Sequence, residues 1–142
     1  MQVKKHLMER GLRLWVVAAA LLDEDGRVLV QQRPTGKPLA GLWEFPGGKI
    51  EPCETPEASL VRELREELGI EVDPGDLKAG PFASEALGER HLVMLVFLCR
   101  RWQGTPVAHH ATAIAWHRPM ELHALAMPPA DGPLVRYLES IG

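Results

Sequence analysis

Two apolar runs near the start of the chain predict a pair of β-strands. Leu14–Leu22 and Arg27–Gln32 are rich in Val, Leu and Ala, and the turn Asp23–Gly26 between them ends in an Asp-Gly dipeptide. Asp-Gly between two such runs is a strong hairpin signal, so we expect two paired strands. Basic residues such as Lys4 and Lys5 before the first run imitate a secretory signal, but the run is too short to span a bilayer, and a core strand is favoured.

The spacing of leucines predicts one amphipathic helix in the middle of the chain. Leu60, Leu64 and Leu68 recur every four residues, which is the spacing of an inward helix face. Thr55 followed by proline is typical of a helix start, where the threonine side chain can cap the first turn. Gly69 is typical of a helix end. We therefore expect a helix that begins after Thr55 and ends before Gly69.

The remaining pattern predicts a mixed α/β (α+β) fold. Pro and Gly interrupt Arg33–Trp43, which indicates a surface loop. A C-terminal helix is expected after Ala130–Pro133, as far as Glu139. Further strands are expected at Ile70–Val72, Leu92–Leu98 and Thr112–Trp116. Strands and helices in this order favour a sandwich in which two strand-rich halves surround one central helix.

Composition bounds the class of protein. With 142 residues, 46% of them hydrophobic and 25% charged, the chain is expected to form one globular domain over residues 1–142, and disorder or a fibrous repeat is excluded. The net charge of −3 argues against a protein that binds duplex nucleic acid, because such proteins usually carry an excess of basic residues. Lys49–Glu67, with six Glu against three basic residues, carries the whole excess. Only two cysteines, Cys53 and Cys99, favour a reducing cytoplasm.

The acidic residues of the predicted helix form a candidate metal site. Glu63, Glu66 and Glu67 share one face, because residues three and four positions apart are neighbours on a helix. Like charges at this spacing repel unless a cation lies among them, and hard divalent cations such as Mg²⁺ prefer oxygen ligands. The alternative is a solvated acidic face that Arg62 and Arg65 balance.

The residues around this helix follow a longer pattern. It reads G-x5-E-x7-R-E-U-x-E-E-x-G-U, where U is a bulky aliphatic residue, and every specified position agrees. The matching residues are Gly48, Glu54, Arg62, Glu63, Leu64, Glu66, Glu67, Gly69 and Ile70. This pattern resembles the Nudix box of the Nudix hydrolases. Gln31–Pro34, Gly41–Lys49 and Pro128–Asp131 are similar to the MutT-type subgroup, and the likeness runs from about Leu14 to Leu138.

The resemblance implies a fold, a reaction and a cofactor. The fold is an α/β/α sandwich with a mixed sheet and a central catalytic helix. The reaction is attack of water on a nucleoside triphosphate, which gives the monophosphate and pyrophosphate with the help of Mg²⁺, with Mn²⁺ as a substitute. The implied metal ligands are the Gly47 carbonyl, Glu63, Glu66 and Glu67, with Glu63 also orienting the water. From the residue chemistry, Arg62 can fork onto a carboxylate such as Glu54.

Substrate contacts are also implied by the resemblance. They are Arg33, Phe45, Lys49, Arg90 and Asp131. Phe45 is equally suited to the core, and Asp131 to capping the last helix. An ionised Asp131 would only accept hydrogen bonds, so it favours a base with a donor-rich edge, guanine or cytosine. We therefore expect an oxidised or modified nucleotide such as 8-oxo-dGTP, with CTP or dCTP as the alternative.

Three positions depart from the family pattern. Cys53 stands where relatives usually have glycine, and a positive φ there would be strained. His110 stands where similar enzymes present a loop glutamate, and a neutral imidazole is a poor Mg²⁺ ligand. Thr112 replaces a polar amide. The loss of a loop carboxylate at His110 motivates a second hypothesis, a catalytically impaired module that binds nucleotides.

The expected partners follow from the same resemblance. We expect a small-molecule nucleotide, no nucleic-acid polymer and no membrane, with the chain as a monomer or weak dimer. A hydrolase of ADP-ribose or dinucleoside polyphosphates is a third alternative, against which Arg33 and Pro128–Asp131 argue.

Overall fold

Two β-sheets and two α-helices make up the described part of the chain, residues 13–141, in the computed structural model. The strands are β1 Arg13–Leu21, β2 Val28–Gln32, β3 Trp43–Glu44, β4 Gly47–Lys49, β5 Leu77–Leu87, β6 Arg90–Cys99 and β7 Ala113–His117. The helices are α1 Pro56–Leu68 and α2 Gly132–Ile141, and short 3-10 helices cover Pro74–Asp76, Pro119–Ala124 and Pro129–Asp131. Lys4 and Lys5, which belong to the signal-like segment, lie outside the described residues.

The strands form one mixed and one antiparallel sheet. The larger sheet has the order β4-β1-β6-β5, in which β1 and β6 are parallel, and the smaller sheet has the order β3-β2-β7. The expected mixed sheet is confirmed. The expected hairpin of β1 and β2 is wrong, because β1 already has a neighbour on each side and only the single bridge Leu22–Val28 joins the two runs. After the turn at Asp23–Gly26 the chain therefore crosses to the other sheet.

Alternate residues of β1 face two different cores. Val17 and Ala19 pack in a cluster with the α1 leucines, whereas Ala18 and Ala20 pack in a cluster with Leu134 and other residues of α2. This alternation is what the period of two in a β-strand requires when helices cover both faces. The sandwich with α1 on one face is confirmed.

The central helix has the predicted ends and the predicted inward face. Thr55 accepts a hydrogen bond from the Ala58 amide at 3.1 Å, and Gly69 ends the helix with a φ of 70°. The side chains of Leu60, Leu64 and Leu68 are fully buried. Because the leucine face is fixed inward, the neighbouring acidic face is fixed toward the end of β4.

The structure corrects two strand predictions. Ile70–Val72 forms a single bridge, between Glu71 and Gln103, although Ile70 and Val72 bury their side chains beside α1. The sequence analysis did not predict the eleven-residue strand β5, because Gly80 and Pro81 are residues that usually interrupt a strand. In the structure they lie at a register irregularity of this edge strand, where both residue types are tolerated.

The other predictions for the second half of the chain agree with the structure. The predicted strands Leu92–Leu98 and Thr112–Trp116 correspond to β6 and β7, and the C-terminal helix is α2. Within residues 13–141, no helix is long and apolar enough to cross a membrane.

Candidate active site

A forked ion pair ties the loop before α1 to the helix. Arg62 donates from Nε and Nη2 to the two carboxylate oxygens of Glu54 at 2.8 and 3.0 Å, and Nη2 also lies 3.3 Å from the Lys49 carbonyl oxygen. The hydrogen bonds from Arg62 hold the pKa of Glu54 at about 2. The guanidinium thereby joins the loop, the end of β4 and the helix, which is the contact that the sequence predicted.

The three acidic residues of α1 differ in their surroundings. Glu67 is buried at 9% exposure, the Glu63 side chain is 17% exposed, and the charge of Glu63 repels that of Glu67. The Glu66 side chain is 50% exposed and lies 3.4 Å from Arg62. Arg62 also contacts Glu63 at 2.9 Å. The face predicted from the sequence is therefore split into two inner carboxylates and one outer carboxylate.

The two glycines of β4 make room for different neighbours. A Cβ on Gly48 would lie 2.5 Å from the carboxyl carbon of Glu63 and 2.7 Å from each of its oxygens. A Cβ on Gly47 would lie 2.0 Å from the carbonyl oxygen of Val17. Both glycines are thus required by close approach, Gly47 to the adjacent strand β1 and Gly48 to an acidic side chain of the helix.

Burial dominates the chemistry of Glu67. Its removal from water, with added repulsion from Glu63 and Glu44, raises its pKa to about 9, while a hydrogen bond from Gln31 opposes that rise. The Gln31 amide nitrogen lies 2.5 Å from Oε1 of Glu67. Among the described residues, the buried Oε2 of Glu67 and Oε1 of Gln31 have no hydrogen-bond partner. The free carboxylate oxygen is a position that an external cation or donor can fill.

A cleft of about 640 Å³ opens beside Glu67. Its walls come from the end of β2, the loop after it, β3 and the segment before β7: Gln31, Gln32, Arg33, Pro34, Lys37, Glu44, Glu67, His109, His110 and Ala111. Arg33 lies 3.1 Å from Glu44 and also donates to the Pro38 carbonyl at 2.8 Å. The lining of the cleft therefore combines the acidic Glu44 and Glu67 with the basic Arg33 and Lys37.

Asp131 is buried close to this cleft. It is 5% exposed, and burial together with the charge of Glu44 raises its pKa to about 7, although the backbone N–H of Phe45 opposes the rise. Near neutral pH the folded protein therefore contains both the ionised and the protonated form of Asp131, whereas the sequence analysis considered only the ionised form. The Phe45 ring is 5% exposed and packs in the core cluster that contains α2 residues, so its core role is the one observed.

Of the five predicted substrate residues, only Arg33 lines the cleft, and Phe45, Lys49, Arg90 and Asp131 do not. The Lys49 side chain is exposed at the end of β4, and its carbonyl oxygen is occupied by Ser59 and Arg62. Arg90 is exposed at the tip of the β5–β6 hairpin.

Cys53 has a φ of 69°, which is the positive value that the family pattern implied.

The sequence analysis did not find three residues of the site. Gln31 and Glu44 lie directly opposite each other on β2 and β3, a relation visible only once that pairing is known. The His109 amide donates to the Glu67 carbonyl at 3.0 Å, and its Nδ1 contacts the Glu66 carbonyl oxygen at 3.3 Å. These bonds satisfy carbonyl groups at the end of α1, which a helix leaves free.

Comparisons with known proteins show the family of this chain. A model of the NUDIX domain matches residues 12–138. The chain belongs to the NUDIX family. It is 40% identical to a CTP pyrophosphohydrolase of Escherichia coli over 87% of this chain and 90% of the relative. It is 31% identical to an E. coli 8-oxo-dGTP diphosphatase, over 91% of this chain and 98% of the relative.

A solved structure supports the same fold for this Nudix chain. It comes from work on MutT of Aliivibrio salmonicida and Vibrio cholerae, and it matches with a TM-score of 0.78 and 29% identity. The match covers 92% of this chain and 99% of the other. Like its relatives, the chain is a Nudix hydrolase.

Nudix hydrolases use divalent metal ions, and the acidic site fits one. The unpartnered Oε2 of Glu67 and the adjacent Glu63 carboxylate are hard oxygen donors. Among the described residues, no three His, Cys, Asp or Glu side chains are grouped so that they could hold an ion. A divalent ion at Glu63 and Glu67 would therefore take its other ligands from backbone, water or phosphate oxygens, as Mg²⁺ typically does.

Proposed function

We propose that this Nudix hydrolase cleaves a nucleoside triphosphate to the monophosphate and pyrophosphate at the cleft beside Glu67. The observation that carries the proposal is the buried Glu67, next to the partly buried Glu63, in the lining of a cleft that also contains Arg33 and Lys37. Acidic oxygens that bind a cation and basic groups that attract phosphates are the two halves of a polyphosphate site. The names of the two E. coli relatives support this class of substrate.

The proposed metal is Mg²⁺, with Mn²⁺ as a substitute. Glu63, Glu67 and the Gly47 carbonyl are the proposed ligands, and the exposed Glu66 side chain joins them when the ion is bound. A bound divalent ion would neutralise charge on the phosphate oxygens and lower the pKa of the attacking water. Arg62 holds Glu63 at 2.9 Å, so the Glu63 carboxylate is fixed to accept a proton from that water.

Glu54 supports this arrangement from outside the cleft. Both carboxylate oxygens of Glu54 accept hydrogen bonds from Arg62, so the Arg62 guanidinium contacts Glu63 in one fixed orientation. We assign Glu54 and Arg62 the role of keeping the catalytic carboxylate in place.

We propose that Asp131 reads the base. With its pKa raised to about 7, a protonated Asp131 can donate one hydrogen bond and accept another, as an asparagine can. Guanine and cytosine both offer a donor beside an acceptor. An oxidised purine nucleotide such as 8-oxo-dGTP is the first candidate, and the 40% identity to a CTP pyrophosphohydrolase supports CTP or dCTP as the second.

A panel of nucleotides tests the proposal directly. Pyrophosphate release is measured with 8-oxo-dGTP, dGTP, 5-methyl-dCTP and CTP, with Mg²⁺ and with Mn²⁺. Glu67→Gln and Glu66→Gln should each lose orders of magnitude in turnover, because an amide replaces a ligand carboxylate. Glu85→Gln, on the exposed strand β5, is the matched control. Full activity of both ligand variants would refute the assignment.

The alternative of an impaired binding module has its own observation. His110, rather than a carboxylate, lines the cleft near Glu67. On this alternative, nucleotide binds without turnover under either metal, and His110→Glu creates activity.

We further propose a reducing cytoplasm and a monomer or weak dimer for this protein. Within residues 13–141, Cys53 and Cys99 are both free thiols, the first exposed and the second buried. Free cysteines are ordinary in a reducing compartment. Size-exclusion chromatography with light scattering tests the oligomeric state.

A further inference from the structure

Gln31 connects the smaller sheet to the acidic helix. It lies on β2, its side chain is buried at 4% exposure, and its amide nitrogen is 2.5 Å from Oε1 of Glu67 on α1. A buried amide is costly unless it is hydrogen-bonded, so its presence in the cleft wall calls for a physical reason. The Nudix box begins at Gly48, so Gln31 lies outside it, in the segment Gln31–Pro34 that is similar to the MutT-type subgroup.

The hydrogen bond from Gln31 makes the two carboxylate oxygens of Glu67 different from each other. Oε1 accepts from Gln31, whereas Oε2 is buried and has no partner among residues 13–141. A carboxylate oxygen only accepts hydrogen bonds, so the amide nitrogen of Gln31 is the group that must face it. With one oxygen fixed, the carboxylate cannot rotate freely, and the other oxygen keeps a constant position.

We propose that Gln31 is a positioning residue that holds Glu67 so that Oε2 is free to bind the divalent ion. The proposal rests on the proposed function, in which Glu67 is a metal ligand. Groups that hydrogen-bond to metal-ligating side chains orient them, and their loss commonly costs about 10- to 100-fold in metal affinity.

Neighbouring residues of the cleft cannot take over this task. Glu44 lies opposite Gln31 in the β2–β3 pairing, but its carboxylate is bound to Arg33 and, when ionised, repels Glu67. Gln32 uses its own amide on the Gly41 carbonyl at 3.2 Å. Within the described residues, the Gln31 amide is therefore the nitrogen donor on which the Glu67 carboxylate depends.

Metal binding without nucleotide tests the proposal. The free Mn²⁺ signal in electron paramagnetic resonance is titrated with the wild type, Gln31→Met, Gln103→Met, Glu67→Gln and the double variant Gln31→Met/Glu67→Gln. Methionine keeps the length of glutamine and removes the amide. We expect Gln31→Met to bind Mn²⁺ about 10-fold more weakly, and Gln103→Met, the matched control at an exposed glutamine outside the cleft, to bind as the wild type does.

The double variant separates positioning from a general loss of structure. If Gln31 acts through Glu67, the double variant binds no more weakly than Glu67→Gln alone, whereas independent effects add. Circular dichroism checks that each protein is folded at the assay temperature. Should Gln31→Met fail to fold, Gln31→Asn replaces it, because asparagine keeps the amide on a shorter side chain and the same weaker binding is expected.

The results distinguish the two proposals. Wild-type affinity in the folded Gln31 variant, together with weakened binding in Glu67→Gln, overturns the role of Gln31 and leaves the proposed function intact. Additive losses in the double variant overturn it as well. Wild-type affinity in Glu67→Gln overturns instead the assignment of Glu67 as a ligand.

Discussion

Replacement of Asp131 by asparagine should change how the stability of this protein depends on pH. Asp131 is 5% exposed, its Oδ2 has no hydrogen-bond partner among the described residues, and the charge of Glu44 adds repulsion. Each of these features disfavours the ionised carboxylate in the folded protein. Asparagine has nearly the same shape and carries no charge, so Asp131→Asn removes the cost of ionisation and little else.

The size of the effect follows from the pKa. Folding raises the pKa of Asp131 from the ordinary 3.8 to about 7. Below pH 3.8 both states hold the proton and there is no penalty. Between pH 3.8 and 7 the unfolded chain ionises first, so stability falls as pH rises, and above pH 7 the penalty is constant. At about 1.4 kcal/mol per pKa unit, the full penalty is on the order of 4 kcal/mol.

Thermal unfolding at several pH values measures this difference. Wild type and Asp131→Asn are melted between pH 4 and pH 8.5, and subtraction of the two Tm values cancels the other titrating groups. The Tm of Asp131→Asn minus the Tm of the wild type should increase as pH rises to 7, by roughly 12 °C for a chain of this length. A Tm difference that stays constant over this range would refute the reasoning, because it would mean that burial does not suppress ionisation of Asp131.

Two further substitutions test the backbone of the site. Gly48→Ala would place a Cβ 2.5 Å from the carboxyl carbon of Glu63, so the Glu63 carboxylate must move. We therefore expect kcat to fall about 100-fold with little change in Tm. A normal kcat would contradict the assigned packing of Glu63 against Gly48. Cys53→Gly should raise stability by about 1 kcal/mol, because Cys53 has a φ of 69°. Cys53→Ala keeps the strain and serves as control, and equal Tm values for the two Cys53 variants would contradict this explanation.

The sequence by itself determined the elements whose signals are local. The leucine spacing of α1, its threonine cap and its terminal glycine depend on residues within a few turns, so the helix and its acidic face were predictable. The contact between Arg62 and Glu54 was also predictable, because both residues lie in one short motif. A local motif likewise carried the family and the class of reaction.

Only the tertiary structure decided which strands are neighbours and which polar groups are buried. The Asp-Gly turn predicted a hairpin, yet β1 pairs with β4 and β6, since contacts with distant parts of the chain outweigh one local turn. Gln31 meets Glu67 across 36 positions of sequence, so its segment resembled the MutT-type subgroup but its contact with Glu67 could not be predicted. The raised pKa of Asp131 arises in the same way, because desolvation depends on everything packed around a group and not on its neighbours along the chain.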